Sequence, residues 1–479
     1  MSFRTNSSVA KKPNSNFLYG SSALAAMILT LGFTAEAAVD EGYSGGKARV
    51  NQSAKLRVYS EEIAAASCRL SAGIDAELAK DDLARARTSV SAILNSLRDG
   101  NPSMGIPSAE RYSTNLKSIE RVTNIWAEMD EASATLLNGT ADGAGMRTVS
   151  ASYPEMFEST SILASDISGQ YSDPVELLQS DALALNFVSR QAVLLARMER
   201  IVCGMATGNS SLGSADELAE TVDLFDRSLS ALRDGLPNAG IQAPPSTAVA
   251  ESLALIQSKW NAEKYLFVSA VSGGSETEVV KNITAVTRSL VKDIANTTTL
   301  YLIATPGQEG VYRLPVSAYA TDELAGWLGN DALIGAIKKQ NESHAQLSEE
   351  DIISYDNDWR AQAKEGGGPL IDQLLEHDVS KWLRERQDGT SGLITEVFIM
   401  DNRGLNVAQS VETSDYWQGD EAKWQETYGS DGGDLHIAEI EFDDSTGFYQ
   451  TQASMPIFDP QTKEKIGAVT FGINVQALM

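Results

Sequence analysis

Apolar residues recur at intervals of three and four over roughly the first 300 residues of the chain. One series runs through Leu56, Ile63 and Leu70, and a later one runs through Leu194 and Ile201. This spacing places apolar side chains on one face of a helix. Four such helices follow one another in each of two segments, so the pattern predicts two tandem antiparallel four-helix bundles.

Beyond residue 393 the pattern becomes that of strands. Residues 396–400 and 405–408 predict a hairpin, and a polar segment with a helix around 420–428 follows. Residues 435–442, 448–458 and 466–474 predict three further strands separated by turns. The predicted fold class is therefore α+β multidomain: two bundles, then an antiparallel-sheet domain with a long N-terminal helix.

An internal duplication underlies the two helical segments. Landmarks in the first segment return 135 residues later in the same order, namely Asn51, Cys68, Gly73 and Leu97–Gly100 as Asn186, Cys203, Gly208 and Leu232–Gly235. Self-similarity at a fixed period indicates repeated structural units. The predicted organisation is a signal peptide at 1–37, bundles at 45–172 and 178–302, a linker at 303–317 and a C-terminal domain at 318–479.

The N-terminus has the pattern of an export signal. Arg4, Lys11 and Lys12 precede an apolar stretch over 17–33, and Ala35-Glu36-Ala37 offers a cleavage site. We therefore expect a soluble periplasmic protein. An uncleaved N-terminal helix that anchors the chain in the inner membrane is the alternative, because the apolar stretch is near the lower limit of length for a spanning helix.

Charge and composition exclude some classes of function. The formal net charge is −27, which argues against nucleic acid or an anionic membrane surface as a partner. No nucleophile, base and orienting acid occur at a recognisable spacing, and there is no phosphate loop or metal-ligand run. We expect a protein that is not an enzyme and that needs no cofactor or metal.

The two cysteines leave two interpretations. An oxidising compartment would permit a disulfide between Cys68 and Cys203. Their equivalence in the duplication favours instead two buried thiols, each packed at the same place in its own bundle.

The opening helix of each repeat resembles a known signature. Residues 51–60, Asn-Gln-Ser-Ala-Lys-Leu-Arg-Val-Tyr-Ser, and in the second copy Asn186, Arg190-Gln191 and Arg197-Met198, are similar to the first-helix signature of NarX-type nitrate and nitrite sensor kinases and of PilJ-type chemotaxis transducers. The resemblance implies tandem helical sensor domains. It also implies an oxyanion site at Arg57 where two helices meet, with Arg190 as a second candidate.

This sequence departs from that signature in two ways. The second copy has Ala192 at the position of Arg57, and Glu61 and Glu62 follow Arg57 closely. The alternative is that Arg57 forms ion pairs with these carboxylates at a bundle surface.

The C-terminal region resembles the Cache (PDC) family of PAS-like sensor domains. The resemblance rests on the runs at 398–407, 413–420 and 466–473. In that family a small ligand binds between the sheet and the segment after the second strand, here residues 413–428. The candidate ligand-binding residues are Asp415, Tyr416, Trp417, Gln418, Asp420, Lys423, Trp424 and Tyr428.

These residue types suit a small polar ligand. Aromatic rings provide the walls of a pocket, and the charged and amide groups between them fix the orientation of a ligand. The neighbouring carboxylates favour an amine as the ligand, and an amino acid or a carboxylate is also a candidate. The alternative is that the rings fill the core beneath a long loop.

The predicted function is that of an exported, non-enzymatic sensor or solute-binding protein. Relatives of the C-terminal region continue into an effector segment, whereas this sequence ends at Met479. We therefore expect the signal to pass to a separate signalling or membrane protein, and a homodimer is left open. Two alternatives are an interaction protein whose bundles and tail are protein interfaces, and a nitrate-like oxyanion sensor at Arg57.

Overall fold

The structure is a computed structural model that describes residues 44–139, 143–172, 179–273, 276–304, 310, 312–390, 392–443 and 448–478. The predicted signal peptide at 1–37 lies outside these residues. Within the described ranges no helix combines the length and the apolar character needed to cross a bilayer. Most of the described chain is helical, with one antiparallel sheet near its C-terminal end, as expected for an α+β protein.

Eight long helices make up the described part of the duplicated region. They are α1 Gly46–Ala72, α2 Ala76–Asp99, α3 Ser113–Leu137, α4 Ala144–Tyr171, α5 Gln179–Thr207, α6 Ala215–Asp234, α7 Thr247–Val271 and α8 Thr277–Ile303. Short 3-10 segments lie at Pro102–Met104, Ser210–Leu212 and Pro237–Ala239. The apolar periodicity explains the packing: Leu83, Val90 and Leu97 of α2 are seven residues apart and all have no exposed surface.

The first helix of each repeat lies at the centre of the helical region. Helix α1 packs against α2, α4 and α5, while α5 packs against α1, α6 and α8. We call α1 and α5 the central helix pair. Because α1 has neighbours on most of its sides, even polar residues such as Gln52 and Ser60 are buried in it.

A disulfide joins the central helix pair. The Sγ atoms of Cys68 and Cys203 are bonded, with their Cα atoms 6.2 Å apart. The expectation of two buried thiols is therefore wrong. Equivalent positions of α1 and α5 face each other, because the first helices of the two repeats pack side by side.

A buried carboxylate also ties the repeats together. Glu61 of α1 has no exposed surface. Its carboxylate accepts hydrogen bonds from Arg197 Nε at 2.8 Å, Arg200 Nε at 2.6 Å and the Tyr153 hydroxyl at 3.1 Å. These partners come from α5 and α4, so one residue connects three helices. Such a group is tolerated in a core only because its oxygens are fully paired.

The Leu-Arg-Asp-Gly landmark ends a helix in both repeats, as its glycine predicts. Helix α2 ends at Asp99 and α6 at Asp234, and the following Gly100 and Gly235 have φ of 84° and 77°. A Cβ on Gly100 would lie 2.6 Å from the carbonyl carbon of Ser108. Only glycine fits both the backbone angle and this close approach.

The C-terminal region contains seven more helices and six strands in its described part. The helices are α9 Arg313–Asp322, α10 Asp331–His344, α11 Glu349–Glu365, α12 Pro369–Leu375, α13 Asp378–Asp388, α14 Ala422–Gln425 and α15 Val475–Leu478, with a 3-10 segment at Leu324–Gly329. The strands are β1 Ile394–Met400, β2 Asn406–Gln409, β3 His436–Ile437, β4 Glu441–Asp443, β5 Phe448–Phe458 and β6 Lys465–Asn474. Helix α9 begins inside the stretch 303–317 that was predicted as a linker.

All strand pairs are antiparallel, in the order β2-β1-β6-β5-β3, and β4 also pairs with β5. The single strand predicted at 435–442 is divided into β3 and β4. Between them the carbonyl of Ala438 accepts hydrogen bonds from the hydroxyls of Tyr312 and Thr451. That carbonyl is thus satisfied outside the strand ladder. The helix predicted around 420–428 is the single turn α14.

The two faces of the sheet pack against different neighbours. Val397 and Ile399 of β1 belong to the large core shared with the helices that precede the sheet. Phe398 and Met400, which alternate with them, pack against Trp424 and Tyr428 of the segment after β2. The sheet therefore separates two possible locations for a ligand.

Candidate ligand-binding cavities

The eight residues predicted to bind a ligand do not line one cavity. Tyr416 lines a cavity between the sheet and the helices before it, which we call the helix cavity. Lys423 lines a second cavity on the sheet itself, which we call the sheet cavity. These two residues are only seven positions apart, yet they lie in different sites.

Most of the other predicted residues form structural contacts. The indole N–H of Trp417 donates to the carbonyl of Arg403 at 3.0 Å, and that of Trp424 donates to the carbonyl of Asp401 at 3.1 Å. The ring of Tyr428 packs on Trp424, with centroids 5.3 Å apart. Partly buried indoles that donate to backbone carbonyls are typical of packing beneath a loop.

The polar members of the set divide in the same way. The carboxylate of Asp415 accepts from the guanidinium of Arg360 at 3.0 Å and from the amide of Gln418. Gln418 in turn accepts from the ammonium of Lys423 at 3.1 Å. Asp420 is exposed and lies outside both cavities. Asp415 and Gln418 therefore support Lys423, and Lys423 is the member of this chain of contacts that reaches a cavity.

The sheet cavity has a volume of about 290 Å³. One wall comes from the segment after β2 and the opposite wall from strands β3 to β5. Its lining residues are Glu421, Ala422, Lys423, His436, Ala438, Glu439, Glu441, Gln450, Thr451 and Gln452. The lining thus combines three carboxylates, one ammonium group, one imidazole and two amides.

Lys423 is held in place at the edge of this cavity. Its Nζ lies 3.0 Å from Glu421 Oε2 and 5.2 Å from the centre of the Phe398 ring. Contact with an aromatic face and a carboxylate limits the freedom of an otherwise flexible side chain. A cation held in this way is available to a ligand at little further cost in side-chain entropy.

Glu396 of β1 lies beside the same face of the sheet. Its Oε1 accepts from the Gln452 amide at 2.9 Å. Burial raises the pKa of Glu396, while the hydrogen bond from Gln452 and the charge of Lys423 act in the opposite direction. Gly472 makes space for this side chain, because a Cβ there would lie 2.5 Å from its Cγ.

The helix cavity has a volume of about 410 Å³. It is lined by Ala336, Lys339, Gln340, Ser343, His344, Tyr355, Leu370, Gln373, Leu374, His377, Val407 and Tyr416. Apart from Tyr416, these residues were not predicted from the sequence. A signal was present in α10, where polar residues at 339, 340, 343 and 344 form one face and the buried Leu333, Ile334 and Ile337 form another.

The predicted oxyanion residue Arg57 lies in the central helix pair. Both of its terminal nitrogens donate to Asn186 Oδ1 at 3.2 Å. Burial, together with the nearby charge of Arg190, lowers the pKa of Arg57 to about 10. The space beside Arg57 is about 10 Å³, just enough to hold a single water, so this conformation does not accommodate nitrate there.

The alternative proposed for Arg57, ion pairs with Glu61 and Glu62, is wrong. Glu61 accepts hydrogen bonds from Arg197 and Arg200 of α5, and Glu62 forms an ion pair with Arg85 at 3.4 Å. Arg57 points instead toward the second repeat, because it lies on the side of α1 that faces α5.

Comparison with known proteins supports the reading of the helical repeats. Residues 43–150 and 176–286 both match the model of a family described as the N-terminal region of type IV pili methyl-accepting chemotaxis transducers, PilJ. Together these segments cover just under half of the chain. The predicted resemblance to PilJ is thus confirmed for two tandem segments. No curated protein matches the chain.

Among solved structures, the chain is similar to one described as the crystal structure of the V. cholerae histidine kinase DctB sensor domain. The two are 11% identical, and the match covers 36% of this chain and 58% of that chain, with a TM-score of 0.17. The chain therefore spans less than two thirds of that structure. A score this low carries no structural argument, and the Cache resemblance stays a prediction.

Proposed function

We propose that this protein is an exported, non-enzymatic sensor of a small polar ligand. In this proposal a Cache-like domain at 318–479 binds the ligand in the sheet cavity. Two PilJ-like four-helix bundles, at 45–172 and 178–302, connect that domain to a separate signalling or membrane protein. The similarity of the helical repeats to a chemotaxis transducer region supports the sensory role.

The observation that carries the ligand class is the arrangement of charges around the sheet cavity. Lys423 lies on one wall, and carboxylates of Glu421, Glu439 and Glu441 line the same cavity. A carboxylate of the ligand would pair with the ammonium group, and an amino group would pair with the glutamates. A volume of about 290 Å³ suits a compound of few atoms. We infer that an amino acid or a related amine is the ligand.

Strand β5 offers a route from this cavity to the helical region. Gln450 and Gln452 line the sheet cavity, and Phe448 begins the same strand. The ammonium group of Lys292 in α8 lies 5.4 Å from the centre of the Phe448 ring. A ligand that repositions β5 would therefore act on a helix that packs against α5 of the central helix pair.

The proposal is tested by titrating the purified protein with amino acids, primary amines and carboxylates while following its thermal unfolding. A ligand at 100 times its Kd is expected to stabilise the native state by about 2.7 kcal/mol. Lys423→Gln is expected to weaken binding of an amino acid about tenfold or more, because one charge-assisted hydrogen bond is lost.

Lys364→Gln is the matched control. It removes the same charge from α11, outside both cavities, and we expect ligand affinity to be unchanged. If no compound of these classes stabilises the wild-type protein, or if both variants weaken binding equally, the sheet cavity is not the ligand site.

A further inference from the structure

We propose that the helix cavity is a second ligand site and that it takes a small anion bearing carboxylate or phosphate groups. None of the described residues that line it is acidic, although the chain has 65 Asp and Glu against 38 Lys and Arg. The lining includes instead the basic residues Lys339, His344 and His377. In so acidic a chain, a cavity with this lining is selective for negative charge.

Several donors in this cavity have no partner in the described part of the protein. Lys339 forms no ion pair there, and the hydroxyl groups of Tyr355 and Tyr416 form no hydrogen bond there. The Tyr416 ring is fixed by stacking on Trp359, with centroids 5.6 Å apart and planes 21° apart. Unpaired donors around a rigid aromatic wall are the usual composition of a site for a small polar molecule.

His344 is oriented by a buried carboxylate. Its Nδ1 lies 2.9 Å from Oδ2 of Asp401, which has no exposed surface. The same carboxylate also accepts from the Gln340 amide at 3.0 Å and from the backbone N–H groups of Arg403 and Leu405 at 2.8 and 2.9 Å. Asp401 is thus fully engaged behind the imidazole, which leaves Nε2 of His344 available for a ligand.

His377 is oriented by a helix terminus. It is the N-cap of α13, and its Nδ1 accepts the backbone N–H of Val379 at 3.2 Å. The proton of a neutral imidazole then lies on Nε2, where it is a donor. The Nε2–H of His377, the ammonium of Lys339 and two phenols can all donate to one anion. His344 uses its Nδ1–H on Asp401, so it donates from Nε2 only when both ring nitrogens carry a proton. The volume of about 410 Å³ is large enough for citrate.

The three histidines of the chain make the proposal directly testable. His344 and His377 line the helix cavity, whereas His436 lines the sheet cavity. The C2–H signals of the purified full-length chain, labelled in histidine, would be followed during titration with inorganic phosphate and with citrate. The signals are assigned from His344→Gln, His377→Asn and His436→Gln. Asparagine preserves the helix cap at 377.

We expect at least one of the two anions to shift the signals of His344 and His377 in a saturable manner and to leave His436 in place. Amino acids are expected to shift His436 alone. The experiment therefore tests ligand binding in the helix cavity and in the sheet cavity separately. If neither anion gives a saturable change at His344 and His377, the helix cavity is not an anion site.

Adjacent lysines of α10 provide a matched pair of variants. Lys339 lines the cavity, whereas Lys338 pairs with Asp459 at 2.6 Å. Lys339→Gln is expected to weaken anion binding about tenfold or more, and Lys338→Gln is expected to change it less than about twofold, although it breaks an ion pair. Equal weakening in both variants would attribute the binding to general surface charge and would overturn the proposal.

Discussion

The disulfide between α1 and α5 gives the sharpest prediction about stability. The perturbation is the double variant Cys68→Ala and Cys203→Ala, or reduction of the wild-type protein. The bond closes a loop with a sequence separation of 135 residues. In the chain-entropy description, a loop of this length restricts the unfolded chain by about 5 kcal/mol at 25 °C, and removal of native disulfides costs about 2–5 kcal/mol.

We expect a loss within that range, because both cysteines are buried and each alanine leaves only a small void. Urea unfolding followed by circular dichroism at 222 nm, with and without dithiothreitol, measures it. The wild-type midpoint is expected to fall on reduction to nearly that of the double variant, and the double variant is expected to be insensitive to reductant.

Two results would refute this reasoning. One is a wild-type unfolding transition that reductant does not change. The other is the titration of two reactive thiols in protein that was denatured without reduction. Either result would mean that the sulfur atoms of Cys68 and Cys203 are not bonded in solution, whatever the stability of the helical region.

Three further predictions concern buried groups and backbone geometry. Glu61→Gln is expected to destabilise the protein by about 3–5 kcal/mol in urea unfolding, because it removes the buried carboxylate that pairs with the buried Arg200 and the partly buried Arg197; a loss below about 1 kcal/mol would contradict this. Gly100→Ala is expected to cost more than about 1 kcal/mol, since it places a Cβ against Ser108 at positive φ, whereas Gly73→Ala, also at positive φ but with open space around it, should cost less. Burial raises the pKa of Glu396 in the folded protein above its value in the unfolded chain. The folded state therefore keeps the proton of Glu396 to a higher pH, and the free energy of unfolding falls as pH rises from the unfolded to the folded pKa. Glu396→Gln is therefore expected to raise the melting temperature at pH 7 more than at pH 4, and the reverse order would contradict the assignment.

Helices such as α2 were predictable because they have a solvated side. In α2 the buried Leu83, Val90 and Leu97 repeat at a helical interval, and the glycine after Asp99 marks the end of the helix. Local chemistry fixes such elements, and the long strands β5 and β6 were predictable for the same reason. The division of the strand predicted at 435–442 was not, because it depends on the hydroxyl of Tyr312, more than 100 residues away.

The disulfide and the ligand sites depend on which surfaces meet. The equivalence of Cys68 and Cys203 shows only that each occupies the same place in its repeat, and it does not reveal that α1 and α5 lie side by side. Likewise, Tyr416 and Lys423 are neighbours in sequence, but the segment that carries them crosses from one face of the sheet to the other. The residue types alone predicted a binding site for a polar ligand. The packing places those residues in two separate cavities.

The central helix pair also frees the two repeats from a constraint. When identical subunits associate about a twofold axis, every substitution alters both partners at once. Here both partners belong to one polypeptide, so Arg57 in one helix can face a sequence whose equivalent position is Ala192. A substitution in one repeat therefore leaves the other repeat unchanged. A binding site between α1 and α5 can present different residues on its two sides.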